Sequence, residues 1–194
     1  MKYSQTADLE KWDSRKKGLA ARRNLSREQN RLYSDELVKR VLALDEVAKA
    51  TSVFCYAAMP DEVQTLELME KLLQAGKVVS IPLIRCRGKM EAVEVASIDS
   101  LVPGKYGILT IEEGKEVLVD PKTIDCAIVP GSAFGRNGSR VGLGGGFYDR
   151  YLLKTPKAKR IGVCFDCQLS DEVPVERHDI FMNMVITEKD NITV

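Results

Sequence analysis

The chain has 194 residues, 44% of them hydrophobic and 29% charged, and its formal net charge is +1. A chain of this composition can bury one sizeable core, and because no Pro/Ser-rich linker divides it, we expect a single domain over residues 1–194. Its apolar runs are too short to span a bilayer and no apolar leader follows the first residues, so we expect a cytoplasmic protein with no membrane partner.

The first predicted element is a basic helical segment at about residues 8–49. Within it, residues 11–31 carry eight basic side chains against the acids Asp13 and Glu28. Such a local excess prefers anions, although a solvated helix face is the more common explanation of a basic stretch. Aromatic residues make up only 6% of the chain and no recognised motif accompanies the charge, so we expect no nucleic-acid partner.

Helix and strand patterns alternate from this segment onward. A capping box at residues 26–29 and the helical spacing of the apolar residues after it predict one long helix over about residues 27–49. A strand over residues 52–57, a helix over residues 63–73 and a strand over residues 77–84 follow.

The same alternation continues to the end of the chain. Turn residues at 87–89 predict a hairpin into residues 90–95, whereas residues 99–120 are too rich in Gly, Pro and charge to assign. The later predicted elements are a strand at 124–129, a helix at 147–154, a strand at 160–165 and a strand near 184–187. Together they predict an α/β fold with an open, mostly parallel twisted sheet and helices on both faces, a Rossmann-like three-layer architecture. In such a sheet, ligands bind beyond the carboxyl ends of the strands.

The five cysteines are Cys55, Cys86, Cys126, Cys164 and Cys167. An odd number spread through apparent strands fits buried, reduced thiols better than a disulfide framework. The C-x-x-C formed by the last two has no second pair and the chain has a single histidine, so we expect neither a zinc site nor redox chemistry.

A glycine-rich segment between the predicted strand at 124–129 and the helix at 147–154 is the most informative feature. Glycines at 142 and 144–146 let backbone N–H groups approach a ligand, the helix start adds positive partial charge, and Arg140 supplies a rigid donor fork. These properties predict a phosphate site, with Arg140 as an exposed arginine of the loop. The segment is neither a G-x-G-x-x-G fingerprint, since Phe147 stands where glycine is required, nor a P-loop, since no lysine follows.

The run Pro130-Gly131-Ser132-Ala133-Phe134, followed by Gly138-Ser139-Arg140-Val141-Gly142-Leu143-Gly144-Gly145-Gly146-Phe147-Tyr148-Asp149, resembles 5-formyltetrahydrofolate cyclo-ligases, also called methenyltetrahydrofolate synthetases. The spacing matches without a gap, and weaker similarity extends over nearly the whole chain. We expect a monomer, and the resemblance implies that it uses ATP and Mg²⁺ to convert 5-formyltetrahydrofolate to 5,10-methenyltetrahydrofolate. ADP and phosphate are released through a phosphorylated formyl intermediate.

The resemblance also implies which residues bind ATP. Lys11 and Arg15 match a family lysine and arginine that reach nucleotide phosphates, whereas Arg22, in the same pattern, is expected to cap or pair on a helix. The remaining predicted ATP-binding residues are Arg140, Gly142, Leu143, Gly144, Gly145, Gly146, Phe147 and Tyr148. Arg140 and Tyr148 are the predicted catalytic residues, because the tyrosine stands beside the reacting groups in the family.

Three residues form the predicted folate pocket. Tyr56 and Glu62 match a family tyrosine and folate-pocket glutamate, although Glu62 alone would read as an ordinary acid in the first turn of a helix. Met90 is the apolar candidate, with a plain core residue as its alternative interpretation.

The predicted metal ligands are Asp149 and Asp179. A hard cation with oxygen ligands would bridge protein and nucleotide next to a phosphate loop, and these residues match the family's metal aspartates. Many members carry a further aspartate where this chain has Asn183. We expect His178 to be structural, since it is the only histidine.

Two other functions remain open from the residues alone. A sugar-phosphate isomerase on a similar sheet would also use a phosphate loop, but it would need a carboxylate base and no ATP. A non-catalytic nucleotide-binding or nucleic-acid-binding module would keep the fold and the basic segment. Dependence of turnover on nucleotide separates the three.

Overall fold

A central eight-stranded sheet organises this computed structural model, which describes residues 2–86, 88–104 and 108–194, with side chains from residue 8 onward. The helices are α1 (Lys2–Arg23), α2 (Arg27–Leu42), α3 (Asp45–Lys49), α4 (Leu66–Gln74) and α5 (Phe147–Leu152). The strands are β1 (Ser52–Phe54), β2 (Val78–Cys86), β3 (Lys89–Glu94), β4 (Leu101–Pro103), β5 (Leu109–Ile111), β6 (Leu118–Val119), β7 (Cys126–Val129), β8 (Ala133–Gly135), β9 (Arg140–Val141), β10 (Lys159–Val163), β11 (Leu169–Ser170), β12 (Met184–Ile186) and β13 (Asn191–Thr193).

The strand order in the main sheet is β13-β12-β10-β7-β1-β2-β3-β6. The five strands from β12 to β2 pair in parallel, and β13, β3 and β6 join antiparallel at the two sides. The prediction of a mostly parallel α/β sheet is therefore confirmed. The order of the parallel strands reverses between β1 and β7, because β2 lies on one side of β1 whereas β7, β10 and β12 follow on the other. Open α/β sheets bind ligands at such a switch point.

Side chains of the central strands alternate between two hydrophobic clusters, one on each face of the sheet. On β1, Val53 belongs to the cluster that also contains buried residues of α2, α3 and α4. Phe54 points into the other cluster, together with Tyr151 and Leu152 of α5. This period of two places helices on both faces, as predicted.

The predicted helix over residues 27–49 is wrong in one respect. The capping box at Ser26 starts α2 as expected, but the helix ends at Leu42 and α3 begins after Leu44, whose backbone is extended with ψ 132°. Asp45 and Glu46 then stand in the first turn of a new helix, where the dipole favours acids.

Other differences concern short elements. The predicted strand over residues 52–57 leaves the sheet after Phe54, and β8 and β9 lie within the segment predicted as a loop. The hairpin between β2 and β3 is confirmed with a turn at Gly88, φ +82°, while Arg87 lies outside the described residues.

The prediction of buried thiols is wrong for Cys86 and Cys167, which are exposed. Within the described part of the chain, every helix is too short or too polar to cross a membrane.

Helix α1 packs against β8, β9 and the turn at residues 166–168. Gly18 makes this possible, because a Cβ there would lie 2.0 Å from the carbonyl oxygen of Ser132. The close approach brings one face of α1 to the carboxyl ends of the parallel strands.

Candidate functional site

A cleft of about 980 Å³ opens where the chain leaves β1 and β7, at the switch point of the sheet. All the predicted site residues line it, and these are Lys11, Arg15, Tyr56, Glu62, Met90, Arg140, Gly142, Leu143, Gly144, Gly145, Gly146, Phe147, Tyr148, Asp149 and Asp179. They come from α1, from the segments after β1 and β7, from β3 and from the segment before β12. The structure thus brings the predicted residues together, while their individual roles remain predictions.

One wall of the cleft is the glycine loop, residues 142–146, between β9 and α5. Gly144 and Gly146 have φ values of +93° and +60°, which a residue with a Cβ adopts only at a cost. Arg150 fixes the loop from outside, since its guanidinium donates to the carbonyl oxygens of Gly145 at 2.5 Å and Gly88 at 3.1 Å. Because α5 has only six residues, its dipole is small, and the positive charge of this wall comes from side chains.

Arg140 is buried, with 3% of its side chain exposed, so our expectation of an exposed loop arginine is wrong. Its Nη2 donates to Asp149 Oδ1 at 3.0 Å and its Nη1 to the carbonyl oxygen of Pro130 at 3.3 Å. The buried Nε–H has no acceptor among the residues that the structure describes. The guanidinium also lies over the ring of Tyr148, 5.6 Å from its centroid. The fork is therefore held in place at the floor of the cleft, with one donor still to be satisfied.

Two further cations reach the cleft from α1. Arg15 donates its Nε–H to the carbonyl oxygen of Gly142 at 2.7 Å, which places its guanidinium against the glycine loop. Lys11 Nζ lies 2.7 Å from Glu176 Oε2 and 2.5 Å from Asp179 Oδ2. Burial opposes the charge of Lys11, but the hydrogen bonds to both carboxylates outweigh it and raise the pKa of the ammonium. Some basic residues of this segment therefore line the cleft, and others face solvent.

Oxygen and imidazole ligands gather beside these cations. Donor atoms of Glu176, His178 and Asp179 lie within 4.8 Å of one another. Asp149 joins the same region, because its Oδ1 accepts a hydrogen bond from the backbone N–H of Ile180 at 3.3 Å. The sequence prediction named the two aspartates and missed Glu176. A lysine that is expected to line a cleft implies a carboxylate nearby, and Lys11 was the only sequence signal of this kind for Glu176.

The opposite end of the cleft is more apolar. Tyr56 is buried and donates its hydroxyl to the carbonyl oxygen of Val63 at 3.1 Å. Met90 belongs to the cluster around Phe54 and also lines the cleft, so it is a core residue whose role in a folate pocket remains a prediction. Among the described residues that line this end, Glu62 is the one carboxylate, and it is only 7% exposed.

The environment of Glu62 is set by burial and by two donors. Burial raises the pKa of Glu62, against the opposing effects of the backbone N–H of Met59, at 3.0 Å, and of Arg22. Burial also raises the pKa values of Tyr56 and Tyr148 well above the ordinary value, and the nearby Glu62 charge adds to the rise. Both phenols therefore stay protonated at neutral pH and can donate hydrogen bonds.

Asn183, the departure from the family pattern, lies elsewhere. Its Oδ1 accepts from the backbone N–H of Arg160 at 2.9 Å and from the guanidinium Nε of Arg160 at 3.2 Å. It lines a separate cavity of about 330 Å³ beside residues 152–160. The predicted metal region therefore does not depend on this position.

Seen as a whole, the cleft joins a cationic end to a more apolar end. Arginine forks and backbone N–H groups are suited to phosphate oxygens, and carboxylates beside them are suited to a hard divalent cation. The apolar end, with one buried carboxylate and two phenols, is suited to a flat ring that carries N–H donors. Such an arrangement can hold a phosphorylated donor and a heterocyclic acceptor side by side.

Comparison with known proteins finds one family that matches most of the chain. The model of the 5-formyltetrahydrofolate cyclo-ligase family matches residues 7–188. The 5-formyltetrahydrofolate cyclo-ligase of Escherichia coli K12 is 31% identical over 170 residues, which cover 86% of this chain and 93% of that protein. The Mus musculus enzyme of the same name is 27% identical over 192 residues, covering 91% and 95%.

A solved structure agrees with these relatives. The NMR structure of Aquifex aeolicus 5,10-methenyltetrahydrofolate synthetase superposes with a TM-score of 0.82 and 32% sequence identity, covering 94% of this chain and 92% of that one. The family match, the relatives and the shared fold all extend over the residues that build the cleft. This chain belongs to the 5-formyltetrahydrofolate cyclo-ligase family.

Proposed function

We propose that this chain converts 5-formyltetrahydrofolate to 5,10-methenyltetrahydrofolate, with ATP as co-substrate and Mg²⁺ as cofactor, and releases ADP and phosphate. The observation that carries the proposal is the two-ended cleft, in which three cationic side chains and the glycine loop adjoin an apolar pocket with one buried carboxylate. Family membership gives the reaction class, and the cleft offers a place for each reactant.

The proposed chemistry has two steps. The formyl oxygen attacks the γ-phosphorus of ATP while the N5 lone pair moves toward the formyl carbon, an O–P bond forms, and ADP leaves as its bond to the γ-phosphorus breaks. N10 then attacks the formyl carbon and closes the five-membered ring. The C–O bond breaks, phosphate leaves, and the N10 proton departs with it.

Phosphoryl transfer depends mainly on positioning and on neutralising charge, which this cleft can supply. We assign Arg140 to the transferring phosphoryl group, because its buried Nε–H has no acceptor in the described part of the chain and its other donors are fixed by Asp149 and Pro130. Arg15, Lys11 and the N–H groups of the glycine loop hold the nucleotide phosphates. Tyr148, protonated and beside Arg140, orients the formyl phosphate.

The donor set of the cleft fits magnesium. Asp149 and Asp179 would hold it, with Glu176 close by, and carboxylate oxygens are the ligands this hard cation prefers. When bound, Mg²⁺ neutralises charge that develops on the phosphoryl oxygens.

The folate ring lies at the apolar end in this proposal. The pterin edge carries a ring N–H next to an amino group, and the two oxygens of the Glu62 carboxylate can accept one hydrogen bond from each. The test of the whole proposal is the near-ultraviolet absorbance of the methenyl product with ATP, magnesium and 5-formyltetrahydrofolate, each omitted in turn. Turnover without ATP would contradict it.

We predict that Asp149→Asn raises the magnesium concentration for half-maximal turnover by about tenfold or more, since a neutral amide binds a hard cation less tightly. The measurement is a magnesium titration of turnover at fixed, saturating ATP. Asn183→Asp is the matched control, because it changes the same two residue types in the opposite sense while facing Arg160 outside the cleft, and we expect no change. A magnesium requirement that Asp149→Asn leaves untouched would remove this residue from the metal site.

A further inference from the structure

The last turn of α1 contains a buried arginine with two carboxylate partners. Arg22 has 2% of its side chain exposed, and its Nη2 and Nε lie 2.9 and 3.3 Å from Asp61 Oδ2. Its Nη1 reaches Glu62 Oε1 at 3.4 Å. Because a guanidinium is planar and its donor directions are fixed, the contact with Asp61 determines where Nη1 points. Asp61 therefore orients the Nη1 of Arg22 toward Glu62.

Resting on the proposed function, we infer that Arg22 is a positioning residue for folate: it holds the Glu62 carboxylate in the orientation that accepts the pterin N–H groups. Glu62 Oε1 contacts Arg22 and Oε2 accepts from the backbone N–H of Met59 at 3.0 Å. An ionised carboxylate has about four acceptor positions, so each oxygen keeps capacity for a ligand. The two contacts remove the rotational freedom that the carboxylate would otherwise lose on binding.

The main chain around Glu62 is held by other groups. Asn30 Nδ2 and Gln64 Nε2 donate to the carbonyl oxygen of Glu62 at 3.2 and 2.7 Å. The backbone N–H of Gln64 donates in turn to Ser34 Oγ at 3.0 Å. Truncation of Arg22 should therefore release the Glu62 side chain and leave the loop in place.

Arg22 also influences the charge of Glu62. The charged and titratable groups facing this carboxyl are Arg22 from α1, the adjacent Asp61, and the phenols of Tyr56 and Tyr148. Burial raises the pKa of Glu62 and Arg22 lowers it. Without Arg22 the carboxyl stays protonated up to a higher pH. The loss of folate affinity on acidification should therefore begin at a higher pH in a variant that lacks this arginine.

The experiment is an equilibrium titration with 5-formyltetrahydrofolate in the absence of ATP. We expect Arg22→Met to weaken binding by about 10- to 100-fold, since a charge-assisted contact to a buried carboxylate is lost. Arg22→Lys should recover part of the affinity. Arg23→Met is the matched control, because Arg23 also contacts Asp61, at 3.3 Å, but is 67% exposed and does not reach Glu62. It should bind folate normally, and MgATP affinity should be unchanged in all three variants.

A double variant separates positioning from general stability. If Arg22 acts through Glu62, Arg22→Met adds little further loss in a Glu62→Gln background, and its pH profile shifts upward only when Glu62 is present. Equal loss in both backgrounds, or wild-type affinity of Arg22→Met, would overturn the inference. Thermal melting identifies any variant that fails to fold, and Arg22→Lys then carries the comparison. Wild-type turnover, measured in parallel, tests the proposed function independently of Arg22.

Discussion

Replacing Arg140 with alanine is expected to lower kcat by about 10²–10³-fold, the usual cost of removing a fixed donor to a developing anion. The side chain is held by Asp149 and Pro130, and its buried Nε–H finds no acceptor among the described residues. A water molecule in the vacated space could not present donors in the same fixed directions. Arg140→Lys should recover only part of the loss, because an ammonium keeps the charge without the planar fork.

The same substitution should reduce stability, which an exposed arginine would not do. Arg140→Ala leaves the Asp149 carboxylate in a largely buried position, where the N–H of Ile180 is its one remaining partner among the described residues. Breaking a buried pair from one side costs about 3–5 kcal/mol. Thermal melting and steady-state kinetics should be measured on the same preparations, so that kcat refers to folded protein.

Arg136→Ala is the control for this prediction. Arg136 lies between β8 and β9, close to Arg140 in sequence, but its ion pair with Asp190, at 2.8 Å, is on the surface. It should change neither kcat nor melting temperature. If Arg140→Ala kept the wild-type kcat and ATP KM, the glycine loop would not be the phosphate site.

The glycine loop could be predicted because its signals are contiguous. Strand, glycines, Arg140 and helix follow one another within residues 124–154, so spacing alone indicates the chemistry. The burial of Arg140 could not be predicted in this way. It depends on how the loop folds back, which brings Pro130 and Asp149 against the guanidinium and Tyr148 beneath it.

Charge partners that lie far apart in the sequence were the part of the site that was hardest to predict. Lys11 contacts Glu176 across 165 residues, and Arg22 contacts Glu62 across 40. A cation and a carboxylate each look like solvated surface residues until the fold brings them together. The break at Leu44 was missed for a local reason, because apolar spacing continues through it while the backbone does not.

Gly18→Ala is expected to displace α1 and to weaken the binding of both substrates together. Alanine in a helix interior normally stabilises by about 1 kcal/mol relative to glycine. Here the added Cβ would lie 2.0 Å from the carbonyl oxygen of Ser132 and 2.9 Å from its carbonyl carbon. Ser132 cannot move freely, since its carbonyl oxygen accepts from Gln168 Nε2 at 2.9 Å and its backbone N–H donates to the carbonyl oxygen of Val141 at 2.7 Å. The helix must therefore shift.

A shift of α1 moves Lys11 and Arg15 at one end of the cleft and Arg22 at the other. We expect the KM values for ATP and for 5-formyltetrahydrofolate both to rise by about tenfold, equivalent to about 1.4 kcal/mol each, and the melting temperature to fall. Lys17→Ala, at the adjacent exposed position of α1, is the control and should leave both KM values unchanged. Arg22→Met should raise only the folate KM, so the joint rise identifies a displaced helix. A Gly18→Ala protein with wild-type KM values would show that α1 does not need this contact to build the cleft.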